Sequence, residues 1–167
     1  HPGYHVFCFW SAKYSWVSLE ETKHHEGKPD EPVSALRRIL GPHETEIFHI
    51  RPVTPGIPQY VGSDLHFSCG HEIVSFVTDT HNKVKIQLKT NLNRVGHIFL
   101  FVPSVDQRHV KVTLGGKSPG RWTTVGNVPS PERAPIGSFQ CIGRILRIMV
   151  VVHGNGSDKD GLVEIEY

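Results

Sequence analysis

The sequence predicts an all-β chain, an antiparallel β-sandwich of jelly-roll-like character with one short helix. Three observations predict it. Lys83-Val84-Lys85-Ile86-Gln87-Leu88-Lys89 alternates polar and apolar residues, as do His109 to Leu114 and Leu162 to Tyr167. A period of two puts one set of side chains in a core and the other in water. No stretch of residues 83–167 carries a helical period. Turn residues cut the chain into short strands at a spacing of about 8–12 residues, the rhythm of sandwiches and barrels.

The elements follow in order. His5 to Trp10 reads as a strand and Ser15 to Leu19 as a weaker one. Tyr4, Phe7, Phe9, Trp10, Tyr14 and Trp16 make this the aromatic centre of the chain, as buried core or as a sugar-stacking or partner-binding platform. Glu20 to Asp30 is a polar loop carrying His24-His25-Glu26. Pro32 to Leu40 is the helix: Asp30 or Glu31 caps it, Pro32 suits its first turn, Leu36, Ile39 and Leu40 form its stripe, and Gly41-Pro42 stops it. Glu46 to Val53 is a strand, followed by a stiff connector with Pro52, Pro55, Gly56 and Pro58. The residues before that connector make a poor core alone, so the expectation is a single domain over residues 1–167.

Further strands are expected at Leu65–Cys69, Glu72–Thr78, Val84–Lys89, Gly96–Val102, His109–Leu114, Trp122–Val125, Gln140–Val152 and Leu162–Tyr167. Ile98 to Val102 is apolar throughout, which predicts cover on both faces. Leu146, Ile148, Val150 and Val152 form one face; Ile145, Arg147, Met149 and Val151 form the other. Arg147 is the exception there, either paired at a sheet margin or aimed at an anionic ligand.

Composition narrows the function. A chain of 167 residues buries about 70% of its unfolded surface without disulfide or metal support. The formal charge of +2 and the absence of a Lys/Arg run argue against nucleic acid. The longest apolar run, Ile145 to Val152, is far below the roughly 20 residues of a spanning helix, so no membrane insertion is expected. There is no signal-peptide pattern, the sequence opens His1-Pro2-Gly3, and its only methionine is Met149; a domain excised from a larger protein is expected. Cys8, Cys69 and Cys141 are too few and too widely spaced for a disulfide scaffold. Asn155-Gly156-Ser157 is a glycosylation sequon, relevant if the chain is secreted. The 12 histidines, His24, His25, His43 and His81 in loops and His49, His66 and His97 in strands among them, suggest a response to acid.

Motifs of catalysis are weak. His66-Phe67-Ser68-Cys69-Gly70-His71-Glu72 holds four potential zinc ligands, but not at a standard zinc spacing and without a second ligand segment, so no metal is expected. Asp64, His66 and Ser68 alternate on one strand, yet no Gly-x-Ser-x-Gly elbow occurs. Nothing selects a carboxylate pair from Glu72, Asp79, Asp106 and Glu132. Asp158 and Asp160 among glycines read as a hairpin tip or a calcium loop. No catalytic residue and no cofactor are expected. The expected ligand-binding residues are Arg121 and Trp122, set between Pro119-Gly120 and the next strand.

The order Val84–Leu88, His109 to Leu114, Arg121-Trp122-Thr123-Thr124-Val125-Gly126, Arg144 to Ile148 and Val163 to Tyr167 resembles the galactose-binding sandwich of discoidin-type domains. The resemblance spans only the second half; the family's N-terminal half, with its paired terminal cysteines, has no counterpart here. It implies a sugar-binding module. Viral coat projections share the same strand pattern. The expected function is therefore non-catalytic recognition of a glycan or protein receptor. A projecting structural domain of a viral coat protein is the alternative, and a hydrolase with a His/acid site is the third. Self-association is an expected partner relation, and an extracellular or virion-surface location the expected one.

Overall fold

Among the described residues, three four-stranded sheets stack through two apolar cores. The computed structural model describes residues 3–18, 32–33, 39–79, 82–103, 110–115, 138–154 and 161–167.

The central sheet has the order β10-β11-β8-β5, with β5 Gln59–Ser63, β8 Arg94–Phe101, β10 Phe139–Ile142 and β11 Ile145–Val152. Both its faces are apolar, as the unbroken run in β8 predicts. Ile98 and Leu100 enter one core with Leu146, Ile148, Val150 and Val152. Phe99 and Phe101 enter the other with Ile145. The two faces read in β11 are thus the two faces of this sheet.

The second sheet, β6-β7-β12-β9, covers the first of those cores. Its strands are β6 Ile73–Thr78, β7 Lys83–Leu88, β9 Lys111–Leu114 and β12 Leu162–Glu166. Val84, Ile86, Leu88, Val112, Val163 and Ile165 point inward, while Lys83, Lys85, Lys111, Glu164 and Glu166 line the outer face. Lys83–Glu166 at 2.9 Å and Lys85–Glu164 at 3.4 Å pair there. Such exposed pairs contribute about 0–1 kcal/mol each, against about 1.5–3 kcal/mol for a fully buried Ile or Leu side chain. The core carries this sheet.

The third sheet, β3-β2-β1-β4, covers the other core with β1 Gly3–Cys8, β2 Lys13–Ser18, β3 Pro32–Val33 and β4 Phe48–Pro52. Its inner face is built in rows: Trp16, His5 and Arg51 lie opposite one another, and so do Tyr14, Phe7 and His49. Phe7 is fully buried against Phe99, ring centres 4.8 Å apart.

Three expectations need correction. Pro32–Val33 is not the start of a helix but a two-residue strand paired parallel to Trp16–Val17. Ile39 and Leu40 are exposed and irregular, and residues 34–38 lie outside the described residues. The strand expected at Leu65–Cys69 does not form: those residues are turns, and β5 lies wholly before them at Gln59–Ser63. The run from Gln140 is two strands, because Gly143, at φ 57°, and Arg144 make a tight hairpin turn.

Candidate functional site

The β5–β6 connection folds back on itself around a buried carboxylate. Glu72 is 1% exposed. Its Oε1 accepts the hydroxyl protons of Tyr60 and Ser63, and its Oε2 accepts the Gly70 N–H at 2.9 Å. Cys69, at φ 44°, turns inward, and its Sγ–H reaches the Ser63 carbonyl at 3.4 Å. The Arg51 guanidinium lies over the Tyr60 ring at 5.4 Å and reaches the Cys69 carbonyl at 3.5 Å. Burial pushes the Tyr60 hydroxyl and the Cys69 thiol up, and the Glu72 charge adds to both. Buried and bonded to the Ser63 carbonyl, Cys69 packs as a small apolar residue of this core.

The other half of the connection faces out. His66 stacks on Phe67 at 4.5 Å and lies 5.4 Å from the His71 ring. Its Nδ1 accepts the Ser68 N–H at 3.2 Å and lies 2.7 Å from the Ser68 hydroxyl. His66, His71 and Leu65 form one wall of a cleft of about 190 Å³ with Glu72 beneath them. Thr90, Asn91 and Leu92, from the β7–β8 connection, form the other wall with Arg94. Two hydrogen bonds hold the second wall: a backbone one from Lys89 N–H to Glu72 O at 2.8 Å, and one from Gly154 N–H to the Asn93 side chain Oδ1 at 3.0 Å. Beside the cleft Phe67 is 58% exposed and Leu92 63%. Imidazoles, an amide and a guanidinium between exposed apolar groups can hydrogen-bond a polar ligand and pack on its apolar surface.

The acids and histidines flagged by sequence are sorted differently from a triad. Asp64 pairs with His97, not with His66: Asp64 Oδ2 lies 2.9 Å from His97 Nδ1 and Oδ1 accepts the His97 N–H. Arg147 is half-buried over the Phe99 ring at 5.7 Å, with one nitrogen 3.4 Å from His97 Nδ1. Burial lowers its pKa and the Asp64 charge opposes that. Ser138 lies level with Met149, whose N–H it accepts, and Met149 is the residue facing His97. A whole strand thus separates the Ser138 hydroxyl from the imidazole, and no nucleophile meets His97 among the described residues.

Arg121 and Trp122 lie outside the described residues, as do His24, His25, His81, Asp106, Glu132, Asn155, Asp158 and Asp160. Among the described residues no three His, Cys, Asp or Glu side chains converge as a metal site, and no helix is long and apolar enough to cross a membrane. Cys8, Cys69 and Cys141 form no disulfide. Of the N-terminal aromatics, Phe7 is core, whereas Trp10, at the β1–β2 hairpin tip, is 63% exposed and its backbone N–H donates to Glu46 Oε1. Sequence reasoning missed the second wall of the cleft. Its signal was Leu92, an apolar residue alone in a turn of Asn and Arg.

In comparisons with known proteins the chain matches no family model, no curated protein and no solved structure.

Proposed function

We propose that the chain is a non-catalytic recognition module that binds a glycan or a protein receptor through sandwich loops. The observation that supports this most is the cleft between the β5–β6 and β7–β8 connections, where His66, His71, Asn91 and Arg94 sit beside exposed Phe67 and Leu92. Loops carry recognition because they vary without disturbing the core. Arg121 and Trp122 belong to the same reading as a second loop contact. Display on an extracellular or virion surface fits a module of this kind. The test is a glycan and receptor-ectodomain array probed with the labelled chain. Retained ligands should be lost with Phe67→Ala or Arg94→Ala; ligands held equally by both variants would place recognition elsewhere.

A second reading, a structural domain that self-associates as coat projections do, is favoured by β6. Among the described residues this strand ends its sheet, and it carries no charge from Ile73 to Thr78, with Val74 and Val77 exposed. Uncharged edge strands invite strand addition. Sedimentation equilibrium separates the readings: a dimer broken by Val77→Lys supports the second, a monomer the first.

A further inference from the structure

We propose that a groove separate from that cleft, about 400 Å³ in volume, binds a small apolar monocarboxylate. The volume falls in the range of about 300–1,000 Å³ typical of small-molecule sites. Trp16 and Phe101 meet edge to face at 6.1 Å and form an aromatic corner. Val53, Pro55 and Pro103 complete the apolar lining, and Arg144 supplies the one charged group among the described residues.

The frame is held on several sides. Trp16 lies opposite His5 in the β1–β2 ladder, and the His5 ring packs 4.8 Å from Phe101. The Val53 N–H donates to Gly3 O at 3.0 Å. The Arg144 carbonyl accepts the Val102 N–H at 2.9 Å, which fixes its backbone while the side chain stays exposed. No carboxylate among the described residues pairs with the Arg144 guanidinium.

The polar inventory chooses the ligand. Among the described residues the groove's side chains offer one polar group, the Arg144 guanidinium, since the Trp16 indole N–H is buried beside Gly3 and only the ring lines the groove. A guanidinium only donates, and none of the described lining residues is an acid. A sugar would bury several hydroxyls here that need both donors and acceptors, and unmatched hydroxyls oppose binding. A monocarboxylate gathers its polar demand at one end, where a guanidinium binds two oxygens in parallel. Its alkyl or aryl body then fits the Trp16–Phe101 corner. The groove and the loop cleft share no described lining residue, so this inference stands without the recognition reading.

The test is calorimetric titration of the full chain with sodium octanoate, with octanamide as the uncharged isostere. Octanoate should saturate one site per chain with a Kd below about 1 mM. Octanamide on the unaltered chain, and octanoate on Arg144→Gln, should each bind at least about tenfold more weakly. The Trp16 indole N–H resonance should shift on saturation with octanoate. No heat with octanoate, equal binding of octanamide, or unchanged binding by Arg144→Gln overturns the proposal. So does an acetylated tripeptide with an apolar C-terminal residue that binds about tenfold tighter than octanoate, since the occupant would then be a peptide C-terminus.

Discussion

Asp64 and His97 are joined by three hydrogen bonds. The Asp64 N–H donates to the His97 carbonyl at 3.2 Å, the His97 N–H donates to Asp64 Oδ1, and the imidazole meets Oδ2 at 2.9 Å. Together they continue the β5–β8 ladder past the last β5 pair, Ser63 with Ile98. Gly96 makes the room: a Cβ there would collide with Asp64 Oδ1 and meet Leu65 Cδ2 at 3.0 Å.

This geometry predicts coupling. Asp64→Ala should cost about 1.5–3 kcal/mol, the range for a hydrogen bond to a charged group. Gly96→Ala should also destabilise, through collision with the carboxylate. In the double variant the collision is largely gone, so urea titrations should give a total below the sum by about 0.5 kcal/mol or more. Strict additivity would mean that the Asp64 side chain does not occupy the space over Gly96.

Glu72 anchors the β5–β6 connection through its three hydrogen bonds. Glu72→Ala leaves the Tyr60 and Ser63 hydroxyls and the Gly70 N–H without their acceptor, and a loss of about 3 kcal/mol or more is expected at about 1–3 kcal/mol per buried orphan. Glu72→Gln keeps an oxygen for Gly70 and turns its amide toward the two hydroxyls. It should cost less, about 1–2 kcal/mol. Chemical denaturation should therefore rank the native chain above Gln and Gln above Ala.

Acid should destabilise the third sheet. Gln59 Nε2 donates to the Pro52 carbonyl, so Gln59 Oε1 faces His5 Nε2 at 3.1 Å and must accept its proton. His5 Nδ1 is then the acceptor for the Tyr14 hydroxyl at 2.8 Å. The neutral ring is fully satisfied. Burial holds His5 below the usual histidine range, outweighing the Gln59 hydrogen bond that opposes it, and the Arg51 charge lowers it further. Burial likewise lowers His49, against the Val61 carbonyl bond. Between the unfolded value of about 6.5 and the lower folded value, the unfolded chain binds more protons. Stability is therefore full above about pH 6.5 and falls as pH drops below it. The Tm at pH 5 should lie several degrees below that at pH 7.5, and His5→Gln should narrow the gap even though it lowers both values. Equal melts at the two pH values would refute this.

Surface and core aromatics should separate cleanly. Phe7→Ala removes a fully buried ring and should cost about 3–5 kcal/mol. Phe67→Ala and Trp10→Ala remove exposed rings and should stay within about 0.5 kcal/mol. The recognition reading adds that Trp122→Ala weakens ligand binding with little change in Tm. A Tm drop of many degrees would make Trp122 a core residue instead.

The strands with a strict period of two were legible. Lys83–Leu88 and Leu162–Glu166 sit where the alternation put them, because one face meets the core and the other meets water. The unbroken run in β8 was legible too, since only a strand covered on both sides needs one. β5 was not: Gln59–Ser63 lacks alternation and follows Pro58, whose missing N–H does not matter ahead of the first strand pair. Pro32–Val33 has local helix-start chemistry, and pairing with Trp16–Val17 overrides it. The site was less legible than the fold. Tyr60 and Ser63 reach Glu72 across 12 and 9 residues, and Asp64 reaches His97 across 33. Those partners are chosen by the backbone path through Cys69 and by strand register, which no local spacing records.

The most direct test of recognition through the loop cleft is a 1H–15N NMR titration with a ligand retained on the array. The expected shifts concentrate on amides 65–72 and 90–94, on both walls of the cleft, and the ligand is recovered chemically unchanged. Shifts confined to other surfaces, or a ligand cleaved during the titration, would contradict a non-catalytic recognition cleft.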